Sequence, residues 1–150
     1  MTAAQRLAAA RAFWRDGQTA DDQAQAVLYI AQQKKFRPKT VMSLEEERKV
    51  RHLASLPTLP DALAARALVV YHVAEQRPMM RAFLDAVGIA HEDGLIEEDH
   101  IAPDLAKVGP AAAQIANRFP AADVSLYLNT LLYQDPETWG VLRAVPELQT

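Results

Sequence analysis

Residues 58–94 read TLPDALAARALVVYHVAEQRPMMRAFLDAVGIAHEDG and carry the strongest structural signal in the chain. Over residues 62–74 the only strongly polar side chains are those of Arg66 and His72. On a helix these two lie about 120° apart, so they form no common polar face. A helix that is apolar nearly all round has to be covered by other helices. We therefore expect a buried central helix over residues 61–76.

A second helix is expected to begin at Pro78, because proline is tolerated in a first helical turn, where its missing amide hydrogen has no partner. Apolar residues then recur at helical spacing, namely Met79, Met80, Phe83, Leu84 and Val87. Gly88 suits the left-handed conformation that ends many helices, and Ile89 is expected to contact Leu84, as in a Schellman motif. The two helices are therefore predicted to form a hairpin.

Composition favours helix over the rest of the chain, since alanine is abundant, glycine is scarce and β-branched residues occur singly or in pairs. At 150 residues the chain has the usual length of one domain. We predict an all-α fold, with a single compact domain over residues 1–150. About seven or eight short helices are expected to pack as hairpins around the central helix. A faint echo of residues 27–38 at residues 69–78 leaves a helical-repeat arrangement as an alternative.

Local signals predict further helix boundaries. A capping box at residues 19–22 predicts the start of one helix, and a second box, Ser43-Leu-Glu-Glu46, predicts the start of another. Gly109-Pro110 is expected to break the helical pattern. Pro120 and Asp135-Pro136 are expected to begin the last two helices, since proline favours the first turn.

Composition and motifs also exclude several classes of protein. The chain has no cysteine, which excludes disulfides, thiolate metal sites and thiol nucleophiles. No apolar run reaches about 18 residues, and Gln5, Arg6 and Arg11 interrupt the apolar N-terminus, so neither a membrane span nor a signal peptide is expected. The chain has no Gly-rich phosphate loop, dinucleotide fingerprint or Gly-x-Ser-x-Gly elbow, so no cofactor is expected. We expect a bacterial protein of the cytoplasm.

Charge is unevenly distributed, although the net charge is only −3. Residues 34–51 contain seven Lys or Arg against three Glu, whereas residues 85–104 contain seven acids and neither Lys nor Arg. Segments of opposite charge are able to pair within one molecule or to steer a charged protein partner. This asymmetry is the most informative electrostatic feature of the sequence.

The acidic segment contains the candidate metal ligands His91, Asp93, Glu97 and His100. An EF-hand loop with Gly94 at its sixth position fails, because its first and twelfth positions lack oxygen ligands. The two histidines are also nine residues apart, which does not fit a His-Glu-x-x-His zinc site. A site built by folding these four residues together remains one alternative, that of a small metal-dependent hydrolase. The other reading is a solvated turn, with acids close to a helix N-terminus.

His72 is a second candidate for chemistry, because burial in the central helix would perturb its pKa. The alternative role for this residue is a hydrogen-bonded histidine of the core. Arg66 on the same helix needs an acidic partner if it is buried, either Asp61 or an acid of another helix.

The basic segment contains the candidate partner-binding residues Lys34, Lys35, Arg37 and Lys39. With Phe36 among them, they have the composition that binds phosphates and stacks bases. However, the net charge is negative and three glutamates follow closely, so nucleic-acid binding is the second alternative. We expect the partner to be another protein or a second copy of the chain.

The leading hypothesis from sequence is a non-enzymatic helical module for protein–protein interaction, with an accessory role. It depends on the segregated charges and on aromatic residues near the chain ends, which either pin terminal helices or form a contact surface. It also depends on the lack of a nucleophile motif, a cofactor loop and a thiol.

Overall fold

The computed structural model describes residues 1–17, 20–96 and 103–149. Within these ranges the fold is all-α, as predicted, apart from one small two-stranded ribbon. The helices are α1 (Ala3–Arg15), α2 (Ala20–Lys34), α3 (Pro38–Met42), α4 (Glu46–Ser55), α5 (Asp61–Glu75), α6 (Arg77–Val87), α7 (Leu105–Ala116), α8 (Ala121–Gln134) and α9 (Pro136–Trp139). The strands are β1 (His91–Glu92) and β2 (Leu95–Ile96), and two 3-10 helices, Gly140–Ala144 and Pro146–Gln149, follow α9.

The chain divides into two compact units, Met1–Ala74 and Glu75–Thr150, and each has its own apolar core. The prediction of a single domain over residues 1–150 stays a prediction. No helix in the described ranges is long and apolar enough to cross a lipid bilayer.

The first unit is built on the packing of α1 against α4, with α2 and α3 beside them. Its core consists of buried apolar side chains of α1 to α5 and the loop after α4, namely Ala10, Phe13, Ala26, Val27, Ile30, Ala31, Val41, Val50, Leu53, Leu56, Leu63 and Ala67. Helix α1 begins with a capping box in which the Thr2 hydroxyl accepts from the Gln5 amide, and the Gln5 side chain accepts from the Thr2 amide. Each bond satisfies an amide hydrogen that has no partner within the helix.

The predicted capping box at Ser43 is wrong. Ser43 instead ends α3, where its hydroxyl donates to the Thr40 carbonyl oxygen at 2.9 Å. Helix α4 begins after Glu45, which makes no side-chain capping bond. Pro38 explains the difference, because it opens the short helix α3, and Ser43 then ends that helix and does not begin the next one. Part of the box predicted at residues 19–22 lies outside the described residues.

Helix α5 is most buried along one edge, where Leu63, Ala67 and Tyr71 follow one another at four-residue spacing. His72 is buried as well, with 3% of its surface exposed. Arg66 is not buried, and it pairs with Asp22 of α2, with 3.6 Å between Nε and Oδ2. Of the two sources of an acid considered from sequence, the partner comes from another helix.

The second unit packs α6 against α7, with α8 and the C-terminal 3-10 helices completing the core. Phe83 lies at its centre, edge-on to Tyr127 at 5.7 Å and tilted against Trp139 at 5.8 Å between ring centroids. All three aromatic side chains are buried. The predicted starts of α8 after Pro120 and of α9 after Asp135 are confirmed.

The end of α6 follows the predicted Schellman motif. Gly88 is left-handed, with a φ angle of 84°, and the amides of Gly88 and Ile89 both donate to the Leu84 carbonyl oxygen at 3.0 Å. Ile89 also packs against the core of the second unit, of which Leu84 is a member.

The predicted break at Gly109-Pro110 is wrong, because α7 continues through both residues. A proline ring normally clashes with the Cβ of the residue before it when that residue is helical, and Gly109 has no Cβ. Both residues are exposed, whereas Val108, Ala111, Ala112 and Ile115 are buried and hold the helix on the core. Packing therefore outweighs the loss of one helical hydrogen bond.

Candidate interaction surface

The four partner-binding candidates lie together on the surface of the first unit. Lys34 is the last residue of α2, and Arg37 and Lys39 stand at the beginning of α3. Lys35, between them, has a φ angle of 58°, so the chain turns sharply there. All four side chains are exposed. The structure thus brings together the cations that the sequence singled out.

Helix α4 adds two residues that the sequence did not single out, Arg48 and His52. The His52 ring stands edge-on to Phe36, with 5.4 Å between ring centroids and 81° between ring planes. The positive charges of Lys34 and Arg48 both disfavour a positive charge on the His52 ring. We define the basic face as Lys34, Lys35, Phe36, Arg37, Lys39, Arg48 and His52.

Two of the three glutamates that seemed to counter this charge, Glu46 and Glu47, are engaged elsewhere. Glu46 accepts from Arg15 of α1 at 3.0 Å, and Glu47 pairs with Arg11 of α1 at 3.1 Å. Within the described ranges, no aspartate or glutamate forms an ion pair with a cation of the basic face. The basic face therefore keeps its positive charge, which the linear sequence had seemed to cancel.

The electrostatic effect of this clustering is seen at His52. Partial burial, reinforced by the positive charges of Lys34 and Arg48, lowers the pKa of the His52 imidazole below its ordinary value of 6.5. Both causes disfavour a further positive charge at this position. The lowered pKa favours the neutral form of the His52 ring in the free protein.

Apolar side chains are exposed on and beside the basic face. Phe36 has 38% of its surface exposed, and Met42 at the end of α3 has 64% exposed. Arginine, methionine and aromatic residues are enriched in protein–protein interfaces, where they supply contact area together with directed hydrogen bonds. This mixture of cations and apolar side chains fits a partner that is acidic and partly apolar.

Of the four candidate metal ligands, the structure describes His91 and Asp93, whereas Glu97 and His100 lie outside the described residues. His91 opens the ribbon, and its Nε2 is 2.6 Å from Oδ1 of Asp85. Its Nδ1 accepts from the Gly94 amide at 3.0 Å. Both ring nitrogens are therefore occupied, and a metal would have to displace one of these hydrogen bonds.

Asp93 is likewise engaged in the structure. Its carboxylate accepts from Arg77 at 3.1 Å and from Arg81 at 2.7 Å, which ties the turn of the ribbon to α6. Among the described residues, no group of three or more His, Asp or Glu side chains has an arrangement that would hold a metal ion. The metal site stays a prediction, since two of its four residues lie outside those ranges.

The other histidine considered from sequence, His72, lies within α5 with its ring 5.4 Å from that of Tyr71. Since it is buried, a substrate would reach it only if the helix moved.

The contribution of α4 to the basic face was missed because it depends on tertiary contacts. The available signal was the four-residue spacing of Arg48 and His52, which places them on one side of a helix. That spacing does not show which neighbour they face. No protein-family model, curated protein or solved structure matches this chain in sequence or fold comparisons, so its function is argued from this surface.

Proposed function

We propose that the chain is a non-enzymatic interaction module whose basic face binds an acidic segment of a partner protein. The observation that carries this proposal is the set of exposed cations around Phe36, none of which has a carboxylate partner in the described ranges. Unpaired cations on an exposed surface interact favourably with carboxylates brought by a partner, because no internal ion pair has to be broken first.

The apolar side chains favour a polypeptide as the partner. Phe36 and Met42 offer apolar area next to the cations, so an acidic segment that also carries an apolar side chain is able to contact both. Arg37 and Arg48 are also suited to two parallel hydrogen bonds with one carboxylate. Specificity would then come from the apolar contact, and the rate of association from charge.

Size and net charge favour a peptide over a nucleic acid. The affinity of a nucleic-acid binder grows with the number of phosphates it neutralises, and the basic face is small. The net charge of −3 also opposes the approach of a long polyanion. A short acidic segment carries fewer charges, so fewer cations are needed to bind it.

A binding assay with a defined probe tests the proposal. The probe is a fluorescent peptide of about ten residues, rich in Glu and containing one Leu, and binding is followed by fluorescence anisotropy. We expect the triple variant Lys34→Gln/Arg37→Gln/Lys39→Gln to bind about tenfold or more weakly, since each exposed ion pair contributes up to about 1 kcal/mol. The wild-type affinity should also fall steeply with added salt.

The matched control is Arg6→Gln/Lys107→Gln/Arg143→Gln, which removes three exposed charges that do not belong to the basic face. This variant should bind the peptide within about twofold of wild type, because the proposed contacts are made by the basic face itself. Equal losses in both variants, or no binding by the wild-type chain, would overturn the proposal. Tighter binding of a single-stranded oligonucleotide of equal charge, lost in the basic-face variant alone, would replace it with nucleic-acid binding.

A further inference from the structure

His52 is the member of the basic face whose role charge alone does not explain. Its ring stands edge-on to Phe36, and the positive charges of Lys34 and Arg48 act on it. Within the described ranges neither of its ring nitrogens takes part in a hydrogen bond, although its backbone carbonyl accepts from the Ser55 hydroxyl. The imidazole is thus positioned among cations without an acceptor of its own.

We propose that His52 is a proton-dependent contact for the acidic partner, so that binding places a proton on its ring and the complex tightens as the pH falls. This inference rests on the proposed function, because it requires an acidic segment on the basic face. It adds a regulatory property that the other cations of the basic face lack, since lysine and arginine keep their charge throughout the neutral range.

The charges around His52 explain this coupling. In the free protein, partial burial disfavours protonation of the ring and the charges of Lys34 and Arg48 add to this, while no described carboxylate forms an ion pair with it. A bound carboxylate would offset the field of both cations and offer an acceptor to the imidazolium N–H. Because partner and proton then favour each other, each must strengthen the binding of the other by the same factor.

The described charged groups on the neighbouring elements do not supply a carboxylate that could accept from His52. From α2 the group facing His52 is Lys34, and from its own helix it is Arg48. The arginines that α1 places against α4 are Arg11 and Arg15, and both are already paired with glutamates of α4. We therefore expect the carboxylate that accepts from His52 to come from the partner and not from the described side chains of the first unit.

The other described histidines are not available for such a role. His72 is buried, and both ring nitrogens of His91 are occupied within the ribbon. His52 alone among these three combines partial exposure with ring nitrogens open to a partner.

Isothermal titration calorimetry with the same acidic peptide tests the inference. Titrations at about pH 6.5 in two buffers of different ionisation enthalpy measure how many protons are taken up on binding. We expect an uptake of up to one proton per complex. Between about pH 7.5 and about pH 5.5 we expect a three- to tenfold gain in affinity, because a shift of one pKa unit corresponds to a tenfold change. The Glu side chains of the peptide remain ionised over this range.

The variant His52→Gln keeps a hydrogen-bond donor but does not titrate, so it should bind with no proton uptake and nearly constant affinity across the range. The control Arg6→Gln, which removes an exposed charge that does not belong to the basic face, should retain the proton uptake and the pH dependence. Circular dichroism checks that each variant is folded. In parallel, NMR titration of the His52 ring should show its midpoint rise when the peptide is bound.

The outcomes separate the two proposals. Peptide binding with equal affinity at both pH values would contradict the role of His52 and leave the proposed function standing. Proton uptake that persists in His52→Gln would assign the coupling to another group and would also contradict it. Failure of the peptide to bind at either pH would remove the proposed function itself.

Discussion

Nε2 of His91 lies 2.6 Å from Oδ1 of Asp85, and this contact joins the ribbon to α6. The side chain of His91 is only 11% exposed, whereas that of Asp85 is 73% exposed. Because Nδ1 accepts from the Gly94 amide, the ring hydrogen is on Nε2 and is donated to Asp85. The histidine therefore links Asp85 of α6 to Gly94 in the turn of the ribbon.

A zinc titration tests whether His91 is a metal ligand. Since both of its nitrogens are occupied, we expect excess zinc to leave the ring signals of His91 unchanged in long-range proton–nitrogen spectra. The melting temperature should also stay constant, because a metal that binds only the folded state would raise it. A shift of the His91 nitrogen signals that is lost in Asp93→Asn would support the metal site predicted from His91, Asp93, Glu97 and His100 instead.

The turn of the ribbon depends on Gly94. Its φ angle is 91°, and an added Cβ would lie 3.0 Å from Cβ of Met80, which is buried on α6. We expect Gly94→Ala to destabilise the protein by about 1–3 kcal/mol, through the strained backbone and the close contact together. Chemical denaturation measures the effect.

The control for this experiment is Gly17→Ala, since a Cβ added at Gly17 would lie more than 4 Å from every described atom apart from those of its chain neighbours. The control should stay within about 0.5 kcal/mol of wild type. A Gly94→Ala variant as stable as wild type would show that the turn tolerates a side chain and that the contact with Met80 relaxes.

The ribbon was not predicted, although the sequence contains a signal for it. Asp93 and Gly94 have φ angles of 51° and 91°, as in a type I′ turn, which Asp-Gly pairs favour. The strands are only two residues long, with His91 opposite Ile96 and Glu92 opposite Leu95. They show no alternation of polar and apolar residues long enough to indicate a strand.

The longer helices were predictable because their signals agree with one another. In α6, Pro78, the apolar stripe and Gly88 all indicate the same boundaries. At Ser43 and Pro110, in contrast, a local signal conflicted with the packing of Val41 or of Val108, both of which are fully buried. Local propensity amounts to about 1 kcal/mol or less for ordinary residues and to about 3 kcal/mol for proline inside a helix. Burial of several apolar side chains, at about 1.5–3 kcal/mol each, outweighs both.

Only part of the basic face could be predicted from sequence, because the rest depends on how the helices pack. Charge composition identified Lys34 to Lys39, because those residues are adjacent in sequence. Whether Glu46 and Glu47 cancel that charge depends on their pairing with Arg15 and Arg11 across the contact between α1 and α4. Such pairings arise only once the helices are packed.

The ion pair between Arg66 and Asp22 joins α5 to α2 and should contribute modestly to stability. Both side chains are about one-third exposed, and the 3.6 Å separation is longer than a hydrogen bond. We expect a coupling free energy of about 0.5–1 kcal/mol in a double-mutant cycle of Arg66→Met and Asp22→Asn. A coupling indistinguishable from zero in low salt would contradict this interaction.

The cap of α9 predicts how stability changes in acid. The Thr138 hydroxyl and amide both donate to the Asp135 carboxylate, and these bonds hold the pKa of Asp135 below its ordinary value of 3.8. A lowered folded-state pKa means that the unfolded chain takes up protons first as the pH falls. The stabilisation by Asp135 should therefore be complete above the ordinary value and be lost as the pH falls through the folded-state pKa.

Melting temperatures of the wild type and Asp135→Ala, compared from about pH 6 to about pH 2.5, measure this effect. The difference in melting temperature should be largest at about pH 6 and shrink towards zero in acid. A protonated Asp135 carboxyl has lost the charge that strengthens its two hydrogen bonds to Thr138. Thr138→Val removes the hydroxyl donor but keeps the carboxylate of Asp135. Its melting temperature should therefore also differ most from that of the wild type at about pH 6, and the difference should shrink in acid. A difference between wild type and Asp135→Ala that stays constant across this range would show that the capping bond stabilises α9 independently of charge.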